Sequence, residues 1–273
     1  MNLYQNRIVV KVGTSTLTNE TGKSNLRAFD RIACVLSDAV NMGYEVILVS
    51  SGAIATGKNK LNMNPQPGSL RLKQAAAAVG QCKMMFLYDK FFGDYDKTIA
   101  QILLNAEDID IEEKKENLIN TFSALLEMGV IPIVNENDSV SYTEIESKER
   151  LFGDNDRLSA VVAVLCRASK LIIFSDIDGL YDSDPRLHPN AKLINRIDKI
   201  DESVYSLAGG AGSRRGTGGM KTKLQAAELA VSQGTDVIIT NGNNPYSLYD
   251  ILDGKNTGTL FAGDPTKKGI LKL

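Results

Sequence analysis

Six short apolar runs constrain this chain more than any other feature: Ile8–Val12, Val46–Val49, Ile99–Leu104, Val130–Val134, Leu171–Phe174 and Val237–Ile239. They are rich in Val and Ile and nearly continuous, with Lys11 and Gln101 the polar exceptions. A strand with one wet face alternates apolar and polar residues. A continuous run needs cover on both faces, as strands of a parallel sheet have. Helical patterns lie between the runs. Phe29, Ile32, Ala33, Leu36 and Val40 recur at helical spacing, and Gly43 stops them. Ser69 can cap a long segment toward Phe92, with Gly80 interrupting it. Leu118, Phe122 and Leu125 form a stripe ended by Gly129. Leu158–Cys166 reads as a buried helix, and Lys223–Ser232 as another with Gly234 after it. Asn244-Pro245 opens a short one that stops at Gly254, ahead of a Gly258-Thr259-Leu260-Phe261 strand. Strand and helix alternate without a repeat or a low-complexity linker. The expected architecture is a three-layer αβα sandwich on a mainly parallel sheet, one domain with an N-terminal and a C-terminal lobe.

Counts of single residue types exclude several chemistries. His188 is the only histidine, so a Ser-His-Asp or Cys-His enzyme would depend on it, and a site of two or more histidines on zinc is impossible. Cys34, Cys82 and Cys166 are far apart and odd in number, which reads as reduced, buried thiols. The 31 basic and 33 acidic side chains leave a net charge of −2, and no basic block exceeds two residues. That is a poor footprint for nucleic acid. No apolar stretch approaches the ~20 residues of a membrane span. Met1 to Arg7 is polar, with no signal core. The expectation is a cytoplasmic protein that binds neither membrane nor nucleic acid.

In open parallel sheets, ligands collect at the carboxyl ends of the strands. Four unusual segments fall there: Lys11-Val12-Gly13-Thr14-Ser15, Ser50-Ser51-Gly52-Ala53, Asn135-Glu136-Asn137-Asp138 and Ser175-Asp176-Ile177-Asp178-Gly179. Taken singly, each has an ordinary explanation: a snorkelling lysine, a turn, a polar loop. Four in one chain point to a site for an anionic, phosphate-bearing ligand. The stretch Gly209 to Lys223 adds six glycines, two arginines and two lysines, and it opens a helix. Amides exposed by glycine, with cations beside them, suit polyphosphate. The familiar nucleotide signatures fail. Gly22-Lys23-Ser24 lacks the P-loop's first glycine, because residue 17 is Leu17. A dinucleotide glycine pattern from Gly210 is broken by Arg215, and Pro189 after His188 excludes the protein-kinase H-R-D.

Further motifs sharpen this. Ser51-Gly52-Ala53-Ile54-Ala55, Gly153-Asp154-Asn155-Asp156-x-Leu158-Ser159-Ala160, Asp176-x-x-Gly179-Leu180-Tyr181-x-x-Asp184-Pro185-Arg186 and Gly216-Thr217-Gly218-Gly219-Met220-x-Thr222-Lys223 join the Lys11 and Asn135 segments. In this order, from about residue 7 to Gly263, they resemble the glutamate 5-kinase family of the amino acid kinase superfamily. The resemblance implies that superfamily's αβα fold, and transfer of the ATP γ-phosphoryl group to the γ-carboxylate of L-glutamate, the first step toward proline. It implies Lys11, Asp156 and Lys223 as catalytic, the two lysines oriented by Asp156. It assigns Ser51, Gly52, Ala53, Asn135, Asp138 and Asn155 to the acceptor, with Asp138 and Asn135 accepting from the substrate's ammonium. It assigns Lys11, Gly13, Ser175, Asp176, Thr217, Gly218, Gly219, Met220, Lys221, Thr222 and Lys223 to the nucleotide. A carboxylate acceptor arrives deprotonated, so a histidine-poor site needs no general base. Mg²⁺ on the phosphates is expected, with no all-protein cage to hold it. In the alternative reading of Asp156, the side chain merely caps its helix.

The resemblance further implies inhibition by proline and a homo-oligomer, a dimer or tetramer. The loop Asn62–Ser69, with Pro65 and Pro67, is the expected cover of the acceptor pocket. Many relatives carry a C-terminal PUA domain, which is not expected in a chain whose sequence stops at Leu273. Lys221 stands where the family often has a small residue. The rival readings are a kinase of another small acid on the same fold, and a non-catalytic amino-acid sensor.

Overall fold

The structure is a computed structural model describing residues 4–19, 21–63, 69–140, 155–208, 219–255, 257–264 and 266–267. The first half of the chain supplies β1 (Tyr4–Val12), α1 (Thr14–Leu17), α2 (Leu26–Asn41), β2 (Glu45–Ser50), α3 (Ala53–Lys60), α4 (Leu70–Gly93), β3 (Ile99–Leu104), α5 (Glu107–Asp110), α6 (Glu112–Glu127) and β4 (Ile131–Glu136). The second half supplies α7 (Asn155–Leu165), β5 (Ala168–Ser175), β6 (Arg196–Ile197), α8 (Glu202–Leu207), α9 (Met220–Val231), β7 (Asp236–Asn241), α10 (Ser247–Leu252) and β8 (Thr259–Phe261).

All eight strands join one sheet in the order β3-β4-β2-β1-β5-β7-β8-β6. The six runs of the sequence are β1 to β5 and β7, and every pairing among them is parallel. β8 pairs antiparallel with β7 and carries the short edge strand β6, which runs parallel to β8. Two residues are too few for a period-two pattern, so β6 left no trace in the sequence. The pleat sends alternate residues to opposite faces. Val9, Ile47, Val49 and Ile173 pack with Leu158, Val162 and Leu224 under α7 and α9. Ile8, Val10, Leu48 and Ile172 pack with Phe29, Ile32, Met84 and Tyr88 under α2 and α4. Both sides of the sheet are dry, and the three layers follow.

Gly80 does not interrupt its helix; α4 runs unbroken from Leu70 to Gly93. Its reason is close approach. A Cβ on Gly80 would land on the Ala53 carbonyl oxygen, and one on Gly57 would land on the Ala76 carbonyl oxygen. The two backbones touch, and the contact offsets the ~0.5–1 kcal/mol that glycine costs inside a helix. The crossing seats α3, and with it the Ser51-Gly52 turn, against α4. Ser69 caps α4 as expected, its hydroxyl accepting from the Leu72 amide at 3.4 Å.

One expectation about the thiols is corrected. Cys166 is buried, but Cys34 is half-buried and Cys82 is exposed. On α4 the buried positions are Ala76, Ala77, Gly80, Met84, Leu87, Tyr88 and Phe92, which leaves Cys82 on the outer face. Among the described residues, no helix is long and apolar enough to cross a membrane.

Candidate active site

Because six strands are parallel, their last residues share one edge of the sheet: Val12, Ser50, Leu104, Glu136, Ser175 and Asn241. At the middle of that edge, three elements deliver three charges. Lys11 is the penultimate residue of β1, and its side chain lies on the same face as Val9, toward α7 and α9. Asp156 is in the first turn of α7, and Lys223 is one turn into α9. Lys11 Nζ lies 2.6 Å from Asp156 Oδ1, and Lys223 Nζ lies 3.0 Å from Asp156 Oδ2. Thr222 Oγ1 lies 3.3 Å from Asp156 Oδ2, with the Gly219 carbonyl oxygen as its nearer acceptor at 2.9 Å. The carboxylate is fully buried, and the two lysine side chains are 7% and 8% exposed. Burial alone would push the Asp156 carboxyl up. The two ammoniums outweigh it and hold it below the usual carboxylate range. One carboxylate thus separates and aims two cations, and the cluster keeps a net positive charge.

Residues of the acceptor group lie beside this cluster. Asn155 Nδ2 donates to Ser51 Oγ at 2.8 Å and to Asn135 Oδ1 at 3.2 Å. Gly52 caps α3 with φ +104°, in the left-handed region that favours glycine. It brings Ala53, which is buried, into the turn. Asp138 follows the end of β4, and burial, with nearby Glu136, pushes its carboxyl up to about 7.

The remaining nucleotide-group residues lie toward β5 and β7. Ser175 ends β5, is buried, and donates to Asp176 at 3.2 Å. Asp178 accepts from Asn241 at 2.7 Å and from the Tyr181 hydroxyl at 2.9 Å, tying the β5 and β7 ends together. Gly13 follows β1, and a Cβ there would sit 3.6 Å from Lys11 Nζ. Gly219 caps α9, followed by Met220, exposed Lys221 and Thr222. Thr217 and Gly218 lie outside the described residues, as do Gly153, Asp154 and most of the Asn62–Ser69 loop. His188 is exposed in the segment after Tyr181. Among the described residues, no three His, Cys, Asp or Glu side chains are grouped to hold a metal.

Two contributions from α4 were not anticipated. Gln81 Oε1 accepts from Asn135 Nδ2 at 3.0 Å, and the buried Tyr88 hydroxyl bonds Ser50 Oγ at 2.7 Å. Gln81 and Tyr88 are seven residues apart, about two turns, so one helix face reaches the ends of both β2 and β4. Nothing in the sequence marks these two among the other residues of a long helix.

Residues 6–241 match the amino acid kinase family. The chain is 54% identical over 263 residues to a protein of Clostridium perfringens named glutamate 5-kinase, covering 96% of each. It is 49% identical over 256 residues to the Listeria innocua protein of the same name, covering 94% of this chain and 92% of that one. Among solved structures, carbamate kinase from Giardia lamblia bound to AMP-PNP superposes with TM-score 0.65 at 16% identity, over 96% of this chain and 99% of that one. The UMP kinase of Bacillus anthracis superposes with TM-score 0.62 at 16% identity, over 95% and 96%. At such identity the two solved structures speak for the fold alone.

Proposed function

Since this chain belongs to the amino acid kinase family and, within it, to the glutamate 5-kinases, we propose that it transfers the γ-phosphoryl group of ATP to the γ-carboxylate of L-glutamate, as the first step of proline biosynthesis. The observation that carries this reading is the Lys11–Asp156–Lys223 cluster, set beside the hydrogen-bonded Asn155, Ser51 and Asn135 side chains on one sheet edge.

The reaction brings one anion to another and spreads charge over a phosphoryl group in flight. Both demands are electrostatic. Lys11 and Lys223 supply two ammoniums held by Asp156, so little reorganisation is needed as charge develops. No residue has to remove a proton, because the acceptor carboxylate is ionised above about pH 4.3. The Gly13 and Gly52 turns offer backbone amides toward the phosphate and the acceptor. On the acceptor side, Asp138 and the Asn135 carbonyl accept from the ammonium of glutamate, and the Ser51 hydroxyl, oriented by Asn155, donates to a carboxylate. Ser175 and Asp176 face the nucleoside, with the start of α9 from Gly219 to Lys223 along its phosphates; Thr217 and Gly218 are assigned to the nucleotide by the motif alone. Mg²⁺ would supply neutralisation of the β- and γ-phosphate charge. It would be held largely by phosphate oxygens and water. We read the chain as one domain: β2, β4, α3 and α4 form the acceptor lobe, and β5, β7 and α9 the nucleotide lobe.

A coupled ATPase assay with L-glutamate, N-acetylglutamate, aspartate and UMP tests the assignment. Turnover is expected with glutamate alone. Turnover with another acceptor and none with glutamate would overturn the substrate and leave the fold untouched. Repeating the assay with proline, a smaller amino acid that also carries a charged amine and an α-carboxylate, is expected to show inhibition relieved by glutamate. Sedimentation of the same preparation is expected to give a dimer or tetramer.

The pH dependence follows from Asp138. With its carboxyl near 7, it is protonated below that pH and cannot accept from an ammonium as a carboxylate does. The ammonium and γ-carboxylate of glutamate keep their charges across pH 5 to 8, within the range set by ~4.3 and the amine values. So kcat/KM for glutamate is expected to fall below pH ~7, approaching tenfold per unit. Asp138→Asn is expected to flatten that limb. A profile flat from pH 8 to 5.5 in the unsubstituted enzyme would remove Asp138 from ammonium binding.

A further inference from the structure

We propose that Gln81, on α4, is a positioning residue for the acceptor amino acid, acting through the amide of Asn135. The inference rests on the reading above, in which Asn135 faces the substrate ammonium. An asparagine amide is nearly symmetric in shape, so packing alone does not choose between its two orientations. Hydrogen bonds must choose. Asn155 Nδ2 has two protons, and of its three acceptors Ser51 Oγ and Asn135 Oδ1 are the nearer, at 2.8 and 3.2 Å, with the Ser50 carbonyl oxygen at 3.5 Å. Asn135 must therefore turn its carbonyl toward Asn155 and its NH₂ the other way. Gln81 Oε1 receives that NH₂ at 3.0 Å. Without an acceptor at Gln81, Asn135 can turn over and set its NH₂ against the NH₂ of Asn155. The reversal would remove a carbonyl that the ammonium needs and would release Asn155 from Ser51.

The same chain sets the direction of Ser51. Its Oγ accepts from Asn155, so its own proton points away, available to a substrate carboxylate. Gln81 is thus the anchor of a one-way series, Asn155 to Asn135 to Gln81, which keeps the Asn135 carbonyl turned for an ammonium and the Ser51 hydroxyl proton for a carboxylate. Its placement depends on the helix crossing already described. Gly80 precedes Gln81 and meets the Ala53 backbone, which fixes the height of α4 over the strand ends. Gly80 and Gln81 therefore act together, one setting the distance and the other the polarity.

Two substitutions separate this from a packing role. Gln81→Ala removes the acceptor, and Gln81→Glu keeps one in nearly the same volume. Gln81→Ala is expected to raise KM for glutamate about tenfold, the scale of one lost hydrogen bond with an unsatisfied partner. KM for ATP and kcat are expected to stay within about twofold, because the lysine cluster is untouched. Gln81→Glu is expected to bring KM for glutamate back to within about threefold of the unsubstituted enzyme, since its carboxylate still accepts from Asn135. Equal KM values in all three proteins would overturn the proposal, as would Gln81→Glu matching Gln81→Ala. A second reading does not need turnover. The Asn135 side-chain NH₂ resonances, assigned through Asn135→Ser, are expected to move in Gln81→Ala and largely return in Gln81→Glu. If the unsubstituted enzyme proves inactive on glutamate, the substrate reading fails while the resonances still decide the role of Gln81. Unmoved resonances would sink that role even in an active glutamate kinase.

Discussion

Lys223→Ala is expected to lower kcat by at least ~100-fold, the scale of removing one preorganised stabiliser of developing charge. KM for glutamate is expected to change far less, because the acceptor residues lie on β2, β4 and α7 while Lys223 is on α9. The two constants together make the test informative. A loss confined to kcat means the ammonium acts on the transition state more than on the bound substrate. A near-normal kcat would take Lys223 out of the mechanism, and a rise in KM alone would recast it as a binding residue. The ion pair with Asp156 also matters to folding, so thermal unfolding has to be followed in parallel. A fully folded, inactive variant is the expected result.

Asp156→Ala is expected to have the largest effect on stability, about 3–5 kcal/mol, the range for breaking a buried ion pair from one side. Two ammoniums would be left 7% and 8% exposed with the intervening carboxylate gone. Asp156→Asn preserves volume and is expected to lose activity by a comparable factor to Lys223→Ala, since a neutral amide orients neither cation by charge. The double variant Asp156→Asn with Lys223→Met is expected to regain part of the stability but none of the activity, because it removes one of the two repelling charges. Urea midpoints measure the first effect and steady-state kinetics the second. An Asp156→Ala protein that loses only about 1 kcal/mol, the scale of one cap, would mean the carboxylate serves only as a helix cap. The sign with pH is fixed by the direction of its shift. A carboxyl held below its ordinary range contributes stability above that range, and loses it as pH falls through the lowered folded value.

The sheet was legible because it depends on a property each segment carries by itself. Continuous Val and Ile runs need cover on both faces, and all six became parallel strands. Strand β6 was not legible, because two residues carry no period. Gly80 was misread for a related reason. Inside a helical pattern, glycine signals weakness locally, and only the partner helix reveals the close crossing that requires it. The exposure of Cys82 was likewise settled by which face of α4 meets the sheet.

For the site, sequence reasoning placed the polar residues at strand ends and helix starts, where a parallel sheet puts its ligands. The family motifs then singled out Lys11, Asp156 and Lys223, residues from three elements spread along most of the chain. Their joining at 2.6 and 3.0 Å around one carboxylate is a tertiary fact. So is the Asn155–Asn135–Gln81 series, whose last member looks like any other polar residue on a long helix. Sequence by itself determined the layers, the strand set and the kinds of side chain available to the site. It could do so because burial and periodicity act within each segment. The tertiary structure decided which cations share which carboxylate and which way each amide points. Those are fixed by distances between segments far apart in the chain, and hydrogen bonds and ion pairs form only when such distances close to within about 3 Å.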